Sequence, residues 1–370
     1  MTPHPELTDS PPVQTTQTLV IGGGISGLAV AQALEDAGRD YLLVEARARY
    51  GGRIVSHAQG AARFDLGPAW IWPGQPRIAA LIARMGIADF AQFSEGAHLF
   101  EVAQGRVMQG HGPAAMADAR RLTGGLAALT GALAQSLPAA RKRSGTAVTA
   151  LHRSDGQITA TLSSGARIVA LRVVLALPPR LAARITQTPA LPETARNALC
   201  AVPTWMAGQA KALALYDSPF WRTAGLSGDA MSRRGPMVEI HDACPATGGP
   251  YALFGFIGVP PDARHDAAAL RTSIRAQLVR LFGPQAADPT ALVIKDWARA
   301  PYTATAADRL PLHAHPAYGM PTALQGLRQA GLYLAGSEVA PQWGGYIEGA
   351  LDAAAAALDA LAEDSGWSRT

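Results

Sequence analysis

The chain has 370 residues, 48% hydrophobic and 16% charged, with a formal net charge of +4. That length exceeds one ordinary domain and supports a sizeable core, so two packed domains are expected. Apart from Lys142, Lys211 and Lys295 every basic residue is Arg, scattered rather than gathered with aromatics into a stripe, which argues against nucleic acid as a partner. Two cysteines, Cys200 and Cys244, cannot build a disulfide framework and lack metal-ligand spacing. Neither a metal nor an oxidising compartment is therefore expected. Residues 1–17 carry no basic stretch before an apolar run and read as a disordered tail, not a signal peptide. The apolar run Leu19 to Leu34 is too short for a membrane span and is broken by a Gly-Gly-Gly turn. A cytoplasmic protein without a membrane partner is expected.

In chain order, Thr18 to Ile21 is a short apolar run stopped by glycine, as a buried parallel strand would be. Ser26 to Ala37 reads as a helix ended by Gly38, and Tyr41 to Glu45 as the next strand, making a βαβ unit. Val148 to Leu151, Ile158 to Leu162 and Arg167 to Leu175 are strands separated by Ser-Asp-Gly and Ser-Ser-Gly turns, a meander pattern. Lys211 to Tyr216 and Tyr251 to Val259 read as further strands, and Asp266 to Leu281 as a helix. Leu332 to Gly336 is a strand and Ile347 to Ala362 a helix. The fold class is α/β: a Rossmann-type nucleotide domain assembled from residues 18–75, 122–182 and 292–365. A mixed α+β substrate domain is inserted as residues 76–121 and 183–291.

Gly22-Gly23-Gly24-Ile25-Ser26-Gly27 holds the G-x-G-x-x-G spacing directly after a strand and at a helix start. Gly22 makes the tight turn, Gly24 lets a pyrophosphate approach the backbone, and Gly27 permits close helix–strand packing. Ile25 and Ser26 open the helix, whose N-terminus faces the anion. Glu45 ends the second strand, where a carboxylate can bond a ribose hydroxyl. In Glu45-Ala46-Arg47-Ala48-Arg49-Tyr50-Gly51-Gly52-Arg53, Gly52 allows close passage to a diphosphate and Arg53 offers a forked cation. His241-Asp242 and His57 have the composition of acid–base pairs but read as surface or turn residues that the expected chemistry does not require.

These motifs resemble the flavin-containing amine oxidase family, the group that includes monoamine oxidases. Phe64-Asp65-Leu66-Gly67-Pro68-Ala69-Trp70, Leu122-Thr123-Gly124-Gly125-Leu126, and Lys211 with Tyr216 and Pro219-Phe220-Trp221 agree with it in order. So do Leu334-Ala335-Gly336-Ser337-Glu338 and Trp343-Gly344-Gly345-Tyr346-Ile347-Glu348-Gly349-Ala350. The resemblance implies noncovalent FAD, since no cysteine stands where some relatives attach the flavin. It implies cofactor contacts at Gly67, Pro68, Ala69, Trp70, Val148, Gly336, Ser337, Glu338, Gly345, Tyr346 and Ile347. It further implies that Lys211 holds a water near the flavin and that Tyr346 forms one wall of an aromatic cage for the amine. The second cage tyrosine is missing from Tyr302-Thr303-Ala304-Thr305-Ala306-Ala307. Either Trp297, Tyr302 or Trp205 takes its place, or the pocket is more open; Trp70 would complete the lining. The stretch from Trp72 to Leu122 is shorter than in the family, so much of the helical part of the substrate domain should be absent.

The implied reaction is oxidation of a small-molecule amine at the carbon beside nitrogen, giving an imine that hydrolyses. Electrons would pass on to oxygen, yielding peroxide, or to another acceptor. A desaturase or protoporphyrinogen-type oxidase shares the glycine motifs, a nicotinamide dehydrogenase shares the first βαβ unit, and a non-catalytic flavin-bearing partner remains a further reading.

Overall fold

The computed structural model describes residues 13–112, 116, 118–310, 312 and 314–367. The expected disordered tail lies outside the described residues for positions 1–12. Residues 13–17 are a correction, because they already belong to the first strand. Their threonines suit a strand, and a parallel partner at Arg167–Ala170, far along the chain, holds them in one.

The fold begins with β1 (Val13–Ile21), α1 (Ile25–Asp36) and β2 (Tyr41–Val44), the two strands pairing in parallel. A hairpin of β3 (Ser56–Gln59) and β4 (Ala62–Asp65) leads to α2 (Pro76–Met85). Then come β5 (Asp89–Ala91), β6 (Ala97–Glu101), β7 (Val107–Gly110) and β8 (Arg120–Leu122). After α3 (Leu126–Ser136) and β9 (Lys142–Arg143), a meander runs through β10 (Val148–Ser154), β11 (Gln157–Leu162) and β12 (Arg167–Leu175). Next stand α4 (Pro179–Ala182), β13 (Thr186–Thr188), α5 (Glu193–Ala201), β14 (Ala210–Tyr216) and α6 (Phe220–Thr223). They are followed by β15 (Leu226–Ser232), β16 (Met237–Asp242), β17 (Tyr251–Ile257), α7 (Ala267–Phe282) and β18 (Ala291–Asp296). The last elements are β19 (Leu332–Leu334) and α8 (Ile347–Ser365).

Two mixed sheets organise these elements. The first has the order β13-β10-β11-β12-β1-β2-β9, with β19 added beside β12. β12 is shared along its length: residues 167–170 pair antiparallel with β11, and residues 173–175 pair parallel with β19. Helices α1, α3 and α8 cover one face through Leu28, Leu129 and Leu358, all buried. The second sheet has the order β18-β14-β17-β16-β15-β6-β7. α7 packs there through Ile274 and Leu278 against Ile240 and Leu253. Its start is set by Asp266, whose carboxylate accepts from the N–H groups of Ala268 at 3.0 Å and Ala269 at 2.9 Å.

Sheet membership corrects three of the expected boundaries. β18, placed by sequence with the nucleotide part, pairs with β14 in the second sheet. α2, placed with the substrate part, buries Ile78 and Ile82 in the core of α1, α3 and α8. β13 pairs with β10 in the first sheet, and α5 buries Ala195 and Leu199 in that sheet's other core. In each case the deciding partner is remote in sequence. Among the described residues no helix is long and apolar enough to cross a membrane.

Candidate active site

A cavity of about 950 Å³ runs from the glycine loop before α1 to the start of α8. It is lined by Gly22, Gly24, Ile25, Ser26, Glu45, Ala46, Arg47, Gly52 and Arg53 from the first segments. Gly67, Pro68, Ala69, Trp70, Val148, Trp205, Lys211, Trp297 and Tyr302 continue the wall, and Gly336, Ser337, Gly345, Tyr346 and Ile347 close it. Two residues expected at the site do not line it. Gly27 sits under the loop, where a Cβ would fall 1.9 Å from the Gly22 carbonyl oxygen. Glu338 is fully buried behind Arg53.

The loop is braced from below. Gly22 has φ +108, and a Cβ there would meet the Ala176 carbonyl oxygen at 2.4 Å, so only glycine fits the turn. The Glu45 carboxylate accepts from the N–H groups of Gly23 at 2.7 Å and Arg47 at 2.8 Å, tying the end of β2 to the loop. The Ser26 hydroxyl donates to the Ala335 carbonyl after β19. Arg47 reaches across to the Thr303 hydroxyl at 2.7 Å.

The segment from Asp65 to Trp70 is fixed at four places by remote parts of the chain. Asp65 accepts from the Leu126 N–H at 3.0 Å, capping α3, and from the Ser56 hydroxyl at 2.6 Å. The Trp297 indole donates to the Leu66 carbonyl at 2.9 Å, and the Trp70 indole to the Gln92 side chain at 2.9 Å. Lys211 Nζ donates to the Gly67 carbonyl at 2.5 Å and lies 4.7 Å from the ring centres of both Phe254 and Phe256. Burial in this aromatic box pulls the Lys211 ammonium down to about 8, against a smaller opposing effect of Asp65.

Around Tyr346 the rings are not the ones expected. His315 stacks on it at 5.4 Å and 27°, while Trp72 at 6.1 Å and Trp343 at 5.7 Å meet it edge-on. Trp205 packs on His315 instead, at 4.9 Å. Tyr302 lies under Arg47, and Trp297 under Lys295. Trp297, Tyr302 and Trp205 thus share the cavity without touching the Tyr346 ring. No local pattern in Pro311-Leu312-His313-Ala314-His315 marks the histidine that does.

His241 is a second correction. It is 2% exposed, not a surface residue, with Nδ1 2.8 Å from Asp229 and Nε2 2.7 Å from Glu239. Although burial opposes ionisation, the two carboxylates hold its imidazole above the ordinary value. Asp242 belongs elsewhere: it accepts from the Trp221 indole at 2.9 Å and from Arg222 at 2.7 Å. His57 lies on the β3–β4 hairpin opposite Phe64. Cys200 is exposed, and burial pushes the Cys244 thiol up to about 12, which leaves it unreactive. Glu348 accepts from the N–H groups of Arg77 and Ile78, both at 2.9 Å, and so caps α2 from α8.

The two mixed sheets and the cavity walled by the glycine loop define an α/β protein with a nucleotide-type site. The chain belongs to the flavin containing amine oxidoreductase family, whose model matches residues 25–115 and 97–361. It is therefore a flavoprotein oxidoreductase acting on amines. It is 22% identical to the "Probable flavin-containing monoamine oxidase A" of Dictyostelium discoideum, over 90% of this chain and 94% of that one. The fold is similar to that of cyclohexylamine oxidase from Brevibacterium oxydans, with a TM-score of 0.80 at 22% identity, covering 95% and 99% of the chains. It is likewise similar to wild-type putrescine oxidase bound to putrescine, with a TM-score of 0.79 at 20% identity, covering 95% and 100%.

Proposed function

We propose that this chain binds FAD noncovalently along the cavity and oxidises an amine at the carbon beside its nitrogen, the imine product then hydrolysing in water. The observation that carries this reading is the continuity of one cavity from the glycine loop to Lys211 and Tyr346. The residues fit the dinucleotide. A Cβ on Gly24 would meet nothing nearer than the Gly52 Cα at 3.9 Å, so the loop leaves its cavity side open to a close-lying diphosphate. The first N–H groups of α1 and α8 have no partner within their helices, and each N-terminus carries a partial positive charge toward the cavity. Arg53, anchored by Glu338, adds a fixed cation near Gly52.

When bound, the flavin supplies the redox chemistry, taking a hydride equivalent from the substrate carbon. The protein orients the substrate and keeps the pocket dry. Tyr346, flanked by His315 and Trp72, presents a rigid aromatic wall to the amine. Trp70 and Phe256 make the neighbouring surface apolar, which favours the neutral amine over its ammonium. Lys211 fixes the Gly67 carbonyl and so the loop that walls the site; a water held at its ammonium is part of the same reading.

The test is the visible spectrum of anaerobic purified protein before and after a panel of amines. Bleaching of an oxidised-flavin band by one class of amine supports the reading. A flavin band that no amine touches overturns it in favour of a desaturase or a non-catalytic flavin carrier.

A further inference from the structure

Across the second sheet, Lys211 on β14 and Glu239 on β16 both stand opposite Phe256 on β17. Directly opposed residues share a face, so the cavity floor carries the row lysine, phenylalanine, glutamate. Two strand spacings separate the ends of that row by about 10 Å. Lys211 makes no direct ion pair with the carboxylate, because its ammonium is turned to the Gly67 carbonyl and the phenylalanine faces, although the Glu239 charge acts on it from across the row.

Glu239 is held from behind. His241 lies two residues on, on the same face, and bridges Glu239 Oε1 at 2.7 Å to Asp229 Oδ1 at 2.8 Å. Two ionised carboxylates can only accept, so a histidine that bonds both must donate from both nitrogens and carry a positive charge. Asp229 and His241 are more than nine-tenths buried, whereas Glu239 lines the cavity. Among the described residues, the second Glu239 oxygen has no protein hydrogen-bond partner. An anion so fixed at a cavity wall, with an aromatic ring between it and the lysine end, is built to meet a cation across an apolar spacer.

Resting on the amine-oxidising function above, we propose that Glu239 receives a second cationic group of the substrate, with His241 and Asp229 as its positioning residues. The substrate class is then a diamine, or an amine with a distal cation, joined by a short aliphatic chain lying along Phe256.

The test compares linear α,ω-diamines with monoamines of the same carbon count on the flavin-loaded enzyme. Initial rates and calorimetric affinity under anaerobic conditions are both read. The wild-type enzyme is expected to favour the diamine in kcat/KM by about tenfold to a hundredfold, the worth of one charge-assisted hydrogen bond. Glu239→Gln should erase that ratio chiefly through KM. His241→Gln, which leaves Glu239 in place but unheld, should reduce it part of the way. Monoamine oxidation with no diamine preference overturns the proposal while leaving the amine-oxidising function intact. Glu239-dependent diamine binding with no flavin reduction does the reverse. A ratio unmoved by Glu239→Gln also overturns it.

Discussion

Arg53 and Glu338 lie 285 residues apart in the chain and meet at 2.6 Å, the guanidinium at the cavity and the carboxylate fully buried. The second Arg53 nitrogen reaches the Ser337 hydroxyl at 3.1 Å. This pair joins the segment after β2 to the segment after β19. It therefore ties an early and a late segment of the first sheet together at one point.

Removing Arg53 leaves a carboxylate buried without its cation. Arg53→Ala is expected to destabilise the protein by about 3 kcal/mol or more. Denaturant unfolding measures this, and flavin content after gel filtration should fall in parallel. A variant that keeps both shows that the pair neither anchors the fold nor serves the cofactor.

Lys211 makes stability depend on pH. The unfolded chain keeps the lysine proton up to 10.5, while the folded chain releases it near 8. The unfolded state thus binds more protons between those values, and stability rises with pH across the window. The cost of burying the charge is full below about 8. Relative to Lys211→Met, the wild-type protein should gain on the order of 3 kcal/mol from pH 8 to 10.5. Parallel pH dependences for the two proteins over that range would show that the folded lysine keeps its proton as the unfolded one does.

The two glycines Gly24 and Gly27 should fail differently. A Cβ on Gly27 collides with the Gly22 carbonyl oxygen at 1.9 Å, so Gly27→Ala must move backbone and should cost about 3 kcal/mol or more. A Cβ on Gly24 meets only Gly52, at 3.9 Å. Gly24→Ala is expected to keep the melting temperature of flavin-stripped protein while weakening FAD binding. Thermal melts with and without added FAD separate the two outcomes.

Tyr346 should matter through its ring. Tyr346→Phe is expected to retain amine-dependent bleaching of the flavin, whereas Tyr346→Ala should slow it by about tenfold or more, as loss of an orienting wall does. Stopped-flow absorbance with a saturating amine reads both. Equal rates in the two variants would remove Tyr346 from the substrate site.

The parts of this molecule that could be read from sequence are those whose cause is local. The apolar run Leu19 to Ile21, the glycine loop and the strand before Glu45 carry their own turn chemistry and periodicity. The meander strands are bounded by their own Gly turns. What stayed hidden depends on distant partners. β15 reads Leu-Ser-Gly-Asp-Ala-Met-Ser, with no alternation, and is a strand because β16 and β6 flank it. His241 resembled a turn histidine until Asp229 and Glu239 closed on it. His315 reaches Tyr346 only through the path of the chain between β18 and β19.

The shared strand β12 has a consequence for synthesis. Its residues 173–175 are fully or almost fully buried in the finished protein, yet their partner β19 comes only at residues 332–334. A nascent chain leaving the ribosome therefore carries an open, apolar strand edge while β14 to β18 of the second sheet are being made. Such an edge is a template for pairing with another chain. Shielding by a chaperone during that interval, more than final stability, would then govern how much protein a cell recovers.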